Sequence, residues 1–261
     1  MSVSVERFDG VTALTLDRPD VLNAFNDELG AEFLESVEKA AADDDVRCIV
    51  LTGSGRAFSS GEDLGALADT YEKGDVPGIG DTLVRRYNPL IRAIRGAEKP
   101  VIAAVNGVAA GAGASIALAC DYRIASDKAK LVLAFIKVGL VPDAGGLWFL
   151  AKMIGTSRAW ELASSGRPVA ADEAKDLGLF HQVVPIDEFE GAWRSFATDV
   201  AAGPTRAFAL TKKLLETATE VGLDAQLDAE VDAQSAAGST ADHLEGVQAF
   251  LQKRPPKFQG R

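Results

Sequence analysis

Two groups of residues in this chain are suited to acid–base chemistry beside a carbonyl. Gly111, Ala112 and Gly113 open an apolar segment, Ala114 to Ala119, whose alanine- and leucine-rich composition is helical. Three tiny residues at a helix start let a ligand approach free backbone N–H groups at the positive end of the helix dipole, which makes a cradle for developing negative charge. Further along, Asp143 stands between Pro142 and an Ala144-Gly145-Gly146 turn. A carboxylate facing such a cradle would suit proton transfer next to a carbonyl. On its neighbours alone Asp143 fits a turn or helix N-cap at least as well.

These residues need a frame. Val101 to Val105 is a short unbroken apolar run closed by Asn106 and Gly107, which predicts a buried strand leading into the glycine turn. Before it, Val3 to Phe8 and Val11 to Leu16 flank Asp9-Gly10 as a hairpin, and Asn26 or Asp27 starts a helix to about Ala42. Arg47 to Thr52 reads as a second buried strand. The segment AFSSGEDL (57–64) is a loop in which Gly61 permits an unusual backbone angle and Asp63 can cap a short helix. Lys73 to Gly80 is a flexible connection, equally a cavity wall or a plain surface loop. From Asp81, a helix with Leu83, Tyr87, Leu90 and Ile94 at helical spacing is expected to kink at Pro89. Tyr122 to Ala125 and Lys130 to Leu133 are further strands. Beyond Gly146 the pattern is helical almost to the end, with helices over 147–154, 157–164, 171–177, 187–202 and 204–220 and two more to about Lys253.

A chain of 261 residues with 47% hydrophobic content supports one large core. The net charge of -11 argues against a general nucleic-acid surface. No signal peptide or membrane span is read from the pattern, so a cytoplasmic protein is expected. Cys48 and Cys120 sit in apolar runs as small buried hydrophobes, and His181 and His243 lack companions at metal-ligand spacing, so no metal is expected. Neither a GxGxxG after the first strand nor a P-loop is present. Lys253, Arg254, Lys257 and Arg261 concentrate positive charge at the C-terminus, as a solvated tail or as a contact for phosphates.

The runs KPVIAAVNGVAAGAGA (99–114), GRAFSSGEDL (55–64) and GLVPDAGG (139–146) resemble the crotonase superfamily, the enoyl-CoA hydratases and isomerases. The likeness extends from RPDVLNAFND near the start to GVQAFLQKRPPKF near the end. Within the superfamily the chain most resembles the ring-1,2-epoxyphenylacetyl-CoA isomerases, through RYNPLIRAI, NGVAAGAGA, FIKVGLVPDAGG and KRPPKFQG. The resemblance implies an α/β fold, a spiral of strand-strand-helix repeats over 1–200, with a helical C-terminal trimerisation region over 201–261. It implies an oxyanion hole formed by the N–H groups of Glu62 and Ala112, with Asp143 as the base, and gives neither donor's side chain a role. Contacts to the coenzyme A part of the substrate are expected at Ser60, Gly61, Asp63, Leu64, Gly111, Lys257 and Phe258. No separate cofactor is implied, and the expected assembly is a homotrimer or a dimer of trimers.

The departures from the hydratase pattern narrow the expectation. Hydratases of the superfamily carry two glutamates that activate and orient the added water, and this chain has Ser115 and Phe135 at the matching places. Phenylalanine transfers no proton and an unassisted serine is a poor base. Ser115 is expected to bond its own helix backbone, Phe135 to wall the acyl pocket, and Leu140, Val141, Ala144, Leu147 and Trp148 to bury Asp143. The leading expectation is an acyl-CoA isomerase. The alternatives are a hydratase-like lyase using another acid, or an acyl-CoA-binding or RNA-binding scaffold without catalysis.

Overall fold

The computed structural model describes residues 1–261. Strands β1 (Val3–Phe8) and β2 (Val11–Leu16) form the antiparallel hairpin, and helix α1 (Asp27–Ala42) begins where the Asn26 side chain accepts the Leu29 N–H. Then come β3 (Cys48–Gly53), β4 (Ala57–Ser59), α2 (Ala68–Glu72), α3 (Ile79–Thr82), a π-helical turn (Leu83–Tyr87) and α4 (Asn88–Gly96). The central stretch gives β5 (Val101–Val105), β6 (Val108–Ala110), α5 (Ala112–Ala119), β7 (Tyr122–Ser126), β8 (Lys130–Val132) and a 3₁₀ turn (Ala134–Val138). The remainder is α6 (Gly146–Ser165), β9 (Pro168–Ala170), α7 (Ala171–Asp176), β10 (Gln182–Val184), α8 (Ile186–Ala201), α9 (Thr205–Thr217), α10 (Leu223–Gly238) and α11 (Ala241–Gln252).

Two sheets carry the architecture. The larger has strand order β1-β2-β3-β5-β7-β10, parallel beyond the first hairpin, and the smaller has order β4-β6-β8-β9. In the successive pairs β3/β4, β5/β6 and β7/β8, the first strand joins the large sheet and the second joins the small one, with helices between pairs. This is the strand-strand-helix spiral. Strands β3 and β5 are buried throughout, with apolar runs Cys48–Leu51 and Val101–Val105, because both faces are covered. Leu51, Ala103 and Val105 face the main core with α1, α4 and α5, while Val50, Ile102 and Ala104 meet Phe189, Trp193 and Ala197 of α8.

The structure corrects several boundaries. Four three-residue strands, β4, β6, β9 and β10, occupy stretches read as loop, turn or helix, because three residues are too few to show alternation. The expected kink at Pro89 is a π-helical turn just before it. Proline offers no N–H and its ring displaces the carbonyl of the preceding turn, and one wider turn accommodates both. The helix over 146–165 breaks at Gly155, whose backbone is left-handed in φ (77°), so the two shorter helices expected there are its two halves. No helix is long and apolar enough to cross a membrane.

Candidate active site

The site begins with a loop held on both sides. The backbone of residues 59–63 runs beside residues 22–25, with the Ser60 N–H on Leu22 O (2.9 Å), the Phe25 N–H on Gly61 O (2.7 Å) and the Asp63 N–H on Phe25 O (2.9 Å). Ser59 donates its hydroxyl to Asn23 O and accepts the Gly61 N–H. Arg18 pairs with Asp63 at 3.0 Å and anchors the same strip. The Glu62 N–H donates to no protein acceptor in this ladder. Gly61 has φ of +91°, and a Cβ there would lie 2.9 Å from Ala110 O and 3.2 Å from Ala112 N. Only glycine lets the loop come this close to the start of α5.

Ala112 is the first residue of α5, so its N–H has no carbonyl of an earlier helical turn to bond. Gly111 before it has φ of 52° and ψ of -127°, which turns the chain from β6 into the helix with the first N–H groups facing the Gly61 loop. The Glu62 and Ala112 N–H groups are therefore free donors on two residues that line a cavity of about 370 Å³ together with Ser60, Leu64, Gly111, Phe135 and Asp143. Proline is tolerated at a first helical position and a preceding glycine accepts it, so Ala112→Pro should fold while losing one donor. Loss of one such donor lowers kcat by about 10²–10³ where an oxyanion develops. Circular dichroism and steady-state kinetics of this variant check both halves of that expectation.

Asp143 lines the same cavity. Its side chain caps no helix: α6 begins after Gly145 without a side-chain cap, which removes the cap reading. Its Oδ1 is buried and accepts no hydrogen bond from the protein. Burial, and secondly the negative charge of Glu62, push its carboxyl up to about 6. The turn that presents it is fixed from behind by Ser115, fully buried on α5, whose hydroxyl donates to the Asp143 carbonyl at 2.8 Å. Ser115 thus does not bond its own helix. Ala144 follows with φ of 50°, a left-handed conformation uncommon for a residue with a Cβ. Of the residues expected to bury Asp143, Ala144 is buried and Leu140 lines the cavity, whereas Val141, Leu147 and Trp148 are exposed.

The 71–87 segment adds to the lining: Tyr71, Pro77, Ile79 and Leu83 line the cavity, so the glycine-rich connection is a wall rather than a detached loop. The π-helical turn delivers Arg86 and Tyr87, both buried, to the Glu62 side chain. Arg86 Nη1 donates to both Glu62 carboxylate oxygens (2.9 and 2.7 Å), its Nη2 bonds Asp27, and the Tyr87 hydroxyl donates to Glu62 Oε2 at 2.6 Å. Gly30 on α1 makes room, since a Cβ there would lie 2.4 Å from Arg86 Cγ. The Glu62 side chain is therefore engaged in the site, against the expectation that only its backbone matters. Arg86 was legible in one respect: it lies three residues after Leu83 and four before Leu90, a charge on an otherwise apolar helix face.

The residues expected to touch coenzyme A divide. Ser60, Leu64 and Gly111 line the cavity. Asp63 does not: its carboxylate is taken by Arg18 and the Ala66 N–H, and it braces the loop. Lys257 and Phe258 lie elsewhere on the protomer, Lys257 in a surface depression with Asp242, Glu245 and Arg254, and Phe258 beside α9 and α11. That tail is held by Asp242, which accepts the N–H groups of Gln259 and Gly260, and by Arg47, which donates to Phe258 O. His181 is structural: its Nδ1 accepts the Arg123 N–H and its ring stacks on Tyr122. Both cysteines are buried and free, and nowhere do three His, Cys, Asp or Glu side chains converge as a metal site.

A spiral of strand-strand-helix units thus carries one cavity lined by two residues with free backbone N–H groups and by a half-buried carboxylate. The chain belongs to the enoyl-CoA hydratase/isomerase family, whose profile matches residues 6–261. It is 45% identical to the 1,2-epoxyphenylacetyl-CoA isomerase of Escherichia coli K12, over 97% of this chain and 96% of that protein. It is 36% identical to the 2,3-dehydroadipyl-CoA hydratase of the same organism, over 98% of each. Its structure superposes on the enoyl-CoA hydratase of Bacillus anthracis with a TM-score of 0.93 at 33% identity, covering 100% of both chains. Both reaction types thus occur among its relatives.

Proposed function

We propose that this protein is an acyl-CoA isomerase that uses Glu62 N–H, Ala112 N–H and the single base Asp143. The observation that carries this reading is the Asp143 carboxylate, unpaired and raised to about 6, in a cavity lined by Phe135 and backed by the buried Ser115, the two residues at the places of the hydratase glutamates. In the proposed reaction the thioester oxygen lies between the two N–H groups. Asp143 takes a proton from the acyl chain, the C–H electron pair moves through the conjugated system to the oxygen, and the carboxylic acid returns the proton to another carbon. The base and the charge-stabilising donors each act where the transition state gains charge, and one donor contributes about 3 kcal/mol. The 1,2-epoxyphenylacetyl-CoA isomerase relative supports a ring-epoxide substrate, whose expansion to an oxepin the same groups would assist. Incubation with enoyl-CoA and phenylacetyl-type CoA thioesters in deuterated water tests the reading. Double-bond shift or ring expansion with little hydration is expected, and hydration without isomerisation of any substrate would exclude it.

The same reading includes a homo-oligomer, a trimer or dimer of trimers. Helices α9, α10 and α11 expose Leu215, Leu223, Val231, Phe250 and Leu251, more than single scattered apolar residues on a solvated surface. Light scattering should give a multiple of three protomers, and a monomer at micromolar concentration would remove this part. In such an assembly Lys257 and Phe258 would reach a neighbouring protomer's coenzyme A, which makes truncation at Lys253 a separate test through substrate affinity.

A further inference from the structure

We infer that the Glu62 side chain is a positioning residue for the proposed reaction: clamped by Arg86 and Tyr87, it fixes the oxyanion-hole loop and holds its negative charge near Asp143. Residue 62 then serves the site twice, through its N–H and through its carboxylate.

The clamp is geometric. Both Glu62 oxygens are occupied, by Arg86 and by the Tyr87 hydroxyl, so the carboxylate has a set direction. An isolated Arg–Glu pair would project little field onto a neighbour. Here Arg86 is shared with Asp27, so one cation faces two carboxylates and the cluster remains negative. The other charged or titratable groups at the cavity are Tyr71 from α2, Asp81 from α3 and Arg85 from the π-helical turn. Ser115 on α5 and Phe135 and Val138 of the 3₁₀ turn, which pack around Asp143, carry no charge. Glu62 is the one charge found to act on Asp143, second to burial. A nearby anion makes a carboxylate a stronger base when ionised, and a raised affinity for the proton is what the first step needs. The device depends on the π-helical turn ahead of Pro89, which brings Arg86 and Tyr87 consecutively into the interior.

The test rests on the isomerase reading for its kinetics but not for its main readout. Glu62→Gln keeps shape and backbone N–H while removing the charge; its one amide oxygen can still accept from Arg86, and its amide NH₂ can donate to the Tyr87 hydroxyl oxygen. Carbon-13 NMR of labelled aspartate in the free protein, with Asp143→Asn used for assignment, follows Asp143 whether or not any acyl-CoA is turned over. The Asp143 titration should move down by about half a pH unit or more in Glu62→Gln. The acid limb of acyl-chain proton exchange should move with it, and the rate above pH 8 should fall several-fold. Tyr87→Phe retains the charge, so the titration should stay as in the wild type while exchange slows through a looser loop. Should Glu62→Gln not fold, Glu62→Ala, which leaves Arg86 paired with Asp27, reads the same titration. A folded Glu62 variant with the wild-type Asp143 titration would overturn the inference, whereas absence of exchange on every thioester in the wild type would overturn the isomerase reading alone.

Discussion

Asp143→Asn is expected to lower isomerisation and acyl-chain proton exchange by about 10²–10⁴, the range contributed by a positioned acid–base group, while leaving acyl-CoA affinity within about tenfold. Asparagine keeps the size of the side chain and removes the base. On the proposed mechanism the active form is the carboxylate, and burial with the Glu62 charge raises its carboxyl to about 6, so kcat/KM should rise with pH through about 6 and level above it. The same shift predicts a stability effect. A carboxyl whose folded value lies above its unfolded value of 3.8 favours the folded state below about pH 4, and that contribution is lost as pH rises through about 6. Asparagine does not titrate. The stability of Asp143→Asn relative to wild type should therefore increase by about 2 kcal/mol between pH 4 and pH 7, allowing for the partial exposure of the group. Urea unfolding of both proteins across this range checks it, and a folded variant with near wild-type turnover would remove Asp143 as the base.

The second large effect concerns a reaction that the isomerase reading does not provide for. Hydration of crotonyl-CoA needs a water held between two acid–base groups. Ser115 is fully buried with its hydroxyl committed to the Asp143 carbonyl, and Phe135 presents a ring to the cavity. Crotonyl-CoA hydration should fall at least about 10²-fold below the rate of acyl-chain proton exchange or isomerisation on the preferred thioester, since one of two acid–base groups alone contributes that much. Proton exchange needs only the two N–H donors and one carboxylate. The discriminating result is a single time course in deuterated water followed by proton NMR, which separates deuterium incorporation, double-bond shift and 3-hydroxyacyl product. Efficient hydration that persists in Asp143→Asn would overturn both the isomerase reading and the choice of base.

Local pattern was enough for much of this protein because much of its fold is locally encoded. The apolar runs at Cys48–Leu51 and Val101–Val105 have no polar face, which only strands covered on both sides require, and Asp9-Gly10 and Asn26 mark a turn and a cap by their own backbone preferences. The glycines at 61, 111 and 113 announced close backbone approach, and the carboxylate at 143 stood where the family motif leads. The shortest strands, β4, β6, β9 and β10, were illegible because their pairing partners lie far away in sequence.

What residue type and near-neighbour spacing by themselves determined was the set of buried strands and the glycine turns at 61 and 111–113, while the spiral arrangement and the expectation of a single acid–base group at Asp143 came from the resemblance of the motifs to the crotonase superfamily. The tertiary structure alone decided which polar groups meet. Ser115 reaches across to the Asp143 carbonyl, Asp63 turns away from the cavity to Arg18, and Arg86 and Tyr87 converge on Glu62. Hydrogen bonds and charges act over a few ångströms of space whatever the distance along the chain, and only packing of the elements fixes those separations.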